Sequence, residues 1–214
     1  RRISARHAGS GPILVHMAVL AMLLLGATLR LAAFDETLIE SDQASILDSA
    51  FQVAYLRYFP MTGMKSSVGV MQTGLVPLLA AIPLLAVKRV VAVQWFFSAL
   101  DLLALAWLYR AVRDTLGKYA ALVTGLLYAT APWVILYART IWYQTLIAGF
   151  ATAAFAALLF VLTPRAYRPY HLPIALVNLT MLSLVHLAAA PWGAAMMALC
   201  NIIVWRRRLW RPCL

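Results

Sequence analysis

The sequence predicts an all-α, polytopic membrane helix bundle of about six spans, with an external loop of amphipathic and re-entrant helices. Three observations predict it. Hydrophobic residues make up 64% of the 214 residues and charged residues 12%, where a soluble domain carries roughly 25% charged residues. Apolar runs of about 20 residues recur along the chain, the length that crosses a hydrocarbon core of ~30 Å. The Lys and Arg residues gather between those runs, as they do at the cytoplasmic ends of membrane helices. That gathering also accounts for the net charge of +11. No basic stripe interleaved with aromatics lies in a soluble segment, so the expected partner is a lipid bilayer and not nucleic acid.

Seven apolar runs can be drawn, at 12–34, 68–87, 90–109, 119–138, 143–163, 172–188 and 190–205. The first follows Arg1, Arg2 and Arg6 and resembles a signal peptide. It is long for an h-region and further runs follow, so it reads as an uncleaved first span. The second run decides the topology. If 68–87 does not cross, then residues 1–6, 110–118, 165–168 and 206–211 share one side, which collects 12 of the 18 Lys and Arg residues. If it does cross, the N-terminal side keeps six, and the positive-inside rule prefers the first arrangement. Pro77 and Pro83 interrupt this run, and only Lys88 and Arg89 separate it from the next. It is therefore expected as a re-entrant or interfacial hairpin, whose irregular backbone must be buried in protein or line a cavity. Run 172–205 is too long for one crossing at 1.5 Å per residue. Pro191 suits the first turn of a helix, so a break near "HLAAAPW" splits it. The expected layout is one transmembrane domain over 1–214, six spans, both ends cytoplasmic, and a large first external loop at 35–89.

Five of the seven acidic residues, Asp35, Glu36, Glu40, Asp42 and Asp48, crowd into that loop where the first span leaves the bilayer. Solvated acids on an outer loop are a sufficient account of Asp35, Glu36 and Asp48. Asp42 reads more sharply. "SDQASILDSAFQVAYLRYFP" has Ile46, Leu47, Ala50, Phe51, Val53 and Ala54 at helical spacing. Ser41 suits the N-cap, and Pro60 closes the segment. Asp42 then falls in the first turn, where the helix dipole favours negative charge. A carboxylate held at the lipid–water boundary can take a proton from a hydroxyl at the outer face.

Three stretches together, "SDQASILDSAFQVAYLRYFPMTGMKSSVGVMQTGLVPLLAAIPLLAV", "LYRAVRDTLGKYAALVTGLLYATAPWVILYARTIWYQTLI" and "LSLVHLAAA", resemble the N-terminal half of GT-C glycosyltransferases. The likeness is to the glycosyltransferase family 39 type, with protein O-mannosyltransferases and aminoarabinose transferases. It covers about residues 12–205 and rests on the order and spacing of its motifs. It implies an inverting, integral membrane glycosyltransferase. Such an enzyme moves a sugar from a polyprenyl-phosphate donor to a glycan, lipid or protein acceptor at the outer face of a plasma (inner) membrane. An acid at the start of the first external loop is catalytic in the family, and Asp42 takes that place. A basic residue before the re-entrant helix meets the donor phosphate, which implies Lys65, with the amides of Ser66, Ser67 and Val68 beside it. His186 matches a histidine near the outer end of the fifth span. Family members often carry a second acid in the second external loop. Here "YARTIWYQTLI" has none: Gln144 stands near that place, and Arg139 just before it is expected to meet the phosphate with Lys65, so a second carboxylate would have to come from Glu40 or from a missing half, or the chain uses one carboxylate only. The same departure argues against a metal site, and no cofactor is expected. Members of the family are longer, and this chain opens at Arg1 and closes on "RRRLWRPCL", so it is expected to be a piece of a longer protein.

Other features read plainly. Asp101 lies inside an apolar run, where an acid needs a partner or water; a hydrogen bond to a neighbouring helix is the first expectation. The alternative to an enzyme is a transporter or flippase component, with Asp101 and a Pro132 kink at its centre. Trp133, Trp142, Trp192 and Tyr137 fit an aromatic belt. Cys200 and Cys213 form no CxxC and no metal spacing. There is no Walker loop, HExxH or GxSxG.

Overall fold

The computed structural model describes residues 11–32, 39–66 and 69–207. These are mostly helical. The elements in chain order are α1 (Gly11–Leu31), α2 (Ser41–Leu56), β1 (Thr62–Lys65), β2 (Met71–Thr73), α3 (Leu75–Ala86), α4 (Val90–Leu116), α5 (Lys118–Thr130), α6 (Pro132–Ala138), α7 (Thr145–Leu162), α8 (His171–Val185), a single 3-10 turn (Leu187–Ala189) and α9 (Ala190–Arg207).

Three helices are long and apolar enough to cross a membrane: α1 from Ile13, α4 and α7. A fourth crossing is available if α5 and α6, bent by 56°, count as one span. The bend has a local cause. Pro132 opens α6 at its first turn and has no N–H to continue the α5 ladder, so α5 stops at Thr130. α8 has 15 residues, about 22 Å at the helical rise, and falls short of a ~30 Å core by itself. It breaks from α9 at His186–Ala189, with Pro191 in the first turn of α9. α3 has 12 residues, about 18 Å, and does not reach across.

Helices α4, α7 and α8 form the centre. α7 buries Gly149, Ala154, Ala156 and Ala157. Small residues of this kind let helix backbones approach closely, so that van der Waals contact replaces the hydrophobic drive missing in lipid. A Cβ on Gly149 would sit 3.7 Å from the Asp101 Cα of α4. α1 instead shows Ile13, Leu14, Met17, Leu20 and Leu24 on its outside, an apolar face suited to lipid. Trp133 and Trp192 are exposed.

The loop from 39 to 89 differs in two respects from the expected pair of helices. α2 begins at Ser41, so that Glu40 occupies the N-cap position and makes no side-chain capping bond. The expected cap, Ser41, is the first helical residue. Between α2 and α3 the chain also forms a short antiparallel hairpin, pairing Thr62 with Thr73 and Lys65 with Met71. Gly69, at φ +84°, supplies the left-handed residue that its turn needs. α2, α3 and the start of α4 share a core of Ile46, Leu47, Ala50, Val76, Leu84, Val93 and Phe97, and the Tyr55 hydroxyl donates to the Leu84 carbonyl. Asp35 and Glu36 lie outside the described residues.

Candidate functional site

A cleft of about 500 Å³ opens where α2, the hairpin, the 142–144 loop and the end of α8 meet. Asp42, Lys65, Ser66, Gln144 and His186 all line it, together with Gln72, Trp142 and Tyr143. Residues separated by up to 144 positions in sequence thus face one space.

Each wall of the cleft is fixed by identifiable bonds. Asp42 is in the first turn of α2 and half-buried. The buried apolar face of α2, Ile46, Leu47 and Ala50, anchors the helix beneath it. Lys65 ends β1 and is exposed. That strand is held by the Met64 N–H, which donates to the Tyr143 hydroxyl at 2.9 Å. The approach requires glycine at position 63, because a Cβ there would fall 1.9 Å from the Tyr143 oxygen. Burial pushes the Tyr143 phenol above its usual 10, so it stays protonated. β2 is pinned to the end of α8: Gln72 Oε1 accepts the Leu187 N–H at 3.1 Å, and Thr73 Oγ1 donates to the Leu184 carbonyl at 2.5 Å.

That junction presents His186. Its Nδ1 accepts the Ala188 N–H at 3.1 Å, so the neutral ring carries its proton on Nε2 and is a donor there. Burial holds the ring below the ordinary 6.5, which keeps it neutral at pH 7. Gln144, at the N-cap position of α7, has a buried Oε1 without a hydrogen-bond partner. Among the described residues, neither Asp42 nor Lys65 has an ion-pair partner, and the two share the cleft without pairing with each other. One carboxylate, one ammonium, one imidazole N–H and the hydroxyls of Ser66 and Tyr143 around one cleft can accept a proton from a hydroxyl and donate to an anion.

The other expected site residues stand apart. Glu40 is exposed just before α2 and does not line the cleft. Arg139 lines a different cleft of about 530 Å³ with Thr130, Pro132, Ile135, Leu136 and Thr140. The Ser66 amide is already used, donating to the Val70 carbonyl at 2.8 Å; its hydroxyl accepts the Val70 N–H at 3.2 Å. Ser67 and Val68 lie outside the described residues. Among the described residues, no three His, Cys, Asp or Glu side chains come together to hold a metal.

Sequence reasoning missed the residues that build the walls. Tyr143 follows Trp142 with nothing in the sequence to single it out, and Gln72 has no pattern to mark it. It also missed the partner of Asp101. Arg30 Nε donates to Asp101 Oδ2 at 2.6 Å, with the arginine wholly buried and the aspartate 3% exposed. The Tyr128 hydroxyl donates to Oδ1 at 2.5 Å. The rest of the guanidinium bonds the carbonyls of Gly26, Ala129 and Tyr128 at 3.1, 2.9 and 3.3 Å. The last two are end-of-α5 carbonyls: that of Tyr128 also accepts the Ala131 N–H at 3.4 Å, since Pro132 has no N–H to offer it. A signal was available: Arg30 is the lone charge of the first apolar run and Asp101 the lone charge of its own. No protein-family model, curated protein or solved structure matches this chain.

Proposed function

We propose that the chain is all or part of an integral membrane glycosyltransferase of GT-C type, acting at the outer face of a plasma membrane on a polyprenyl-phosphate sugar. The observation that carries this reading is the convergence of Asp42, Lys65, Ser66, Gln144 and His186 on one cleft. In the proposed reaction the acceptor hydroxyl attacks the anomeric carbon from the face opposite the leaving group. The bond from that carbon to the donor phosphate oxygen breaks, and polyprenyl phosphate departs with the electron pair. Asp42 takes the hydroxyl proton. The Lys65 ammonium and the His186 Nε2–H stabilise the negative charge gathering on the phosphate. Inversion follows from the single displacement. Arg139, in its separate cleft, and Glu40, outside the cleft, have no role in this step.

The reading includes six crossings, with α5–α6 as one bent span and α8 and α9 as two short ones. A short apolar helix is accommodated by local thinning of the bilayer at modest cost. A transporter centred on Asp101 is the weaker reading, because that carboxylate is occupied by Arg30 and Tyr128.

The test uses proteoliposomes holding the longest natural form of the protein and a radiolabelled polyprenyl-phosphate hexose, with a membrane extract as acceptor. Wild type should transfer label, and Asp42→Asn should not. Full transfer by Asp42→Asn removes the proposed base. Movement of labelled donor across the bilayer without transfer would favour transport.

A further inference from the structure

A second polar concavity, of about 360 Å³, opens between the end of α4, the 163–170 loop and the start of α8. It lies at the opposite end of the α7–α8 pair from the Asp42 cleft, since α7 starts at one and α8 starts at the other. Helix α7 has 18 residues, about 27 Å at the helical rise, which is close to the thickness of a bilayer core.

Arg110, Arg165 and Arg168 line this concavity. Asp114 is the one acid among its lining residues, and it is already engaged, 2.9 Å from Arg113 Nε and 3.7 Å from Arg110 Nε. Among the described residues, Arg165 and Arg168 have no carboxylate partner. The floor is made of rings. His171 is buried and stacks on Phe160 with centroids 4.1 Å apart, and Tyr170 meets its edge at 4.5 Å. His171 Nδ1 accepts the Arg168 N–H at 2.9 Å, which fixes the backbone that carries that arginine.

We propose that this concavity binds the phosphate of an anionic phospholipid headgroup. Guanidinium groups present planar pairs of N–H donors that match phosphate oxygens, and three of them around one space need an anion that the protein does not supply in full. The concavity sits where apolar helices end, with Leu116 and Leu162 exposed at the ends of α4 and α7, so the acyl chains have apolar surface beside them. The charge rule places the same residues on the cytoplasmic side, where anionic lipids accumulate and basic pockets between helices bind their headgroups. Arginines that serve only to block translocation need no shared cavity and no ordered ring floor. The inference is independent of the proposed sugar transfer.

The experiment measures lipid retained by the purified full chain from equimolar phosphatidylglycerol and phosphatidylcholine micelles, read by native mass spectrometry. Wild type should hold phosphatidylglycerol in preference. The Arg165→Gln/Arg168→Gln variant should lose that preference by about thirtyfold, in line with the contribution of two basic residues at an anionic surface. The Lys118→Gln variant removes a charge from the same end but touches neither the lining nor Asp114, and should retain it. Arg165 and Arg168 are exposed, so the variant is expected to fold. Equal preference in the lining variant and wild type overturns the site. Equal loss in both variants also overturns it, because diffuse surface charge then suffices. Displacement of the lipid by millimolar inorganic phosphate would assign the concavity to a soluble phosphate and overturn the lipid assignment.

Discussion

Asp42 and Asp101 are both acids on helices packed against apolar neighbours, yet their surroundings are opposite. Asp101 is buried in the bundle with each carboxylate oxygen taken by a donor from another helix. Asp42 is half-open at a polar cleft and has no ion-pair partner among the described residues. A carboxylate with a donor on each oxygen and a buried guanidinium beside it holds structure and favours staying ionised over taking a passing proton. A carboxylate kept free beside a lysine, a hydroxyl and an imidazole is available for chemistry, provided other bonds hold its wall in place. Under the proposed reaction, burial alone would be a poor guide to which acid acts.

The comparison breaks first through stability. Asp101→Asn or Arg30→Met each leaves the other group buried without its counter-charge, and the expected loss is about 3–5 kcal/mol. Denaturation in mild detergent should show it as a large fall in midpoint. The Arg30→Met/Asp101→Leu double variant should recover much of that loss; if it unfolds as readily as the singles, the ion pair is not what the bundle depends on. Asp42→Asn should do the reverse. Its stability should stay within about 0.5 kcal/mol of wild type, while sugar transfer falls roughly 10²–10⁴-fold.

Smaller effects sharpen the contrast on the side of the cleft. Tyr143→Phe removes the acceptor of the Met64 N–H, at an expected cost of about 1 kcal/mol. By loosening the strand that ends in Lys65 it should weaken donor binding more than it slows turnover, seen as a rise in KM with little change in kcat. The smallest effect concerns pH. Burial places His186 below 6.5 in the folded chain, so the unfolded chain takes the proton first. Its contribution to stability is whole above pH 6.5 and is lost as pH falls through the lower folded value. His186→Gln should flatten that acid-side decline, and an unchanged slope would show that other groups cause it.

Composition and apolar run length were enough to read a helical membrane protein, because lipid admits few alternatives. The break before Pro191 and the bend at Pro132 were legible for a local reason: proline suits the first turn of a helix and has no N–H to continue the one before it, although α3 carries Pro83 inside it. The hairpin was not legible. Strands of four and three residues give too little alternation to see, and their pairing depends on the distant Tyr143 and Leu184. Lys65, Ser66, Gln144 and His186 are implied by the resemblance to GT-C glycosyltransferases, Asp42 also by its place in the first turn of a helix, and all five line one cleft. Arg139 was placed with them by nearness in sequence to Gln144. The turn between α6 and α7 separates the two, because only 142–144 reach the cleft. The wall-building residues Gly63, Gln72 and Tyr143 could not be ranked, since their importance lies in contacts that a linear pattern does not encode.

The guanidinium of Arg30 also has a history within each molecule. It enters the membrane on the first helix, but the carboxylate that neutralises it is made 71 residues later, and the carbonyls that complete its shell are later still. An unpaired arginine costs about 2.5–3.5 kcal/mol at a helix centre and less near a helix end, where Arg30 sits, so the first helix is expected to settle more firmly once its successors emerge. Ribosome-bound chains ending before Asp101 should integrate that helix less completely than chains extending beyond α6. Equal integration at both lengths would mean the first helix settles unaided, and assembly would then begin from the N-terminus and not from the middle.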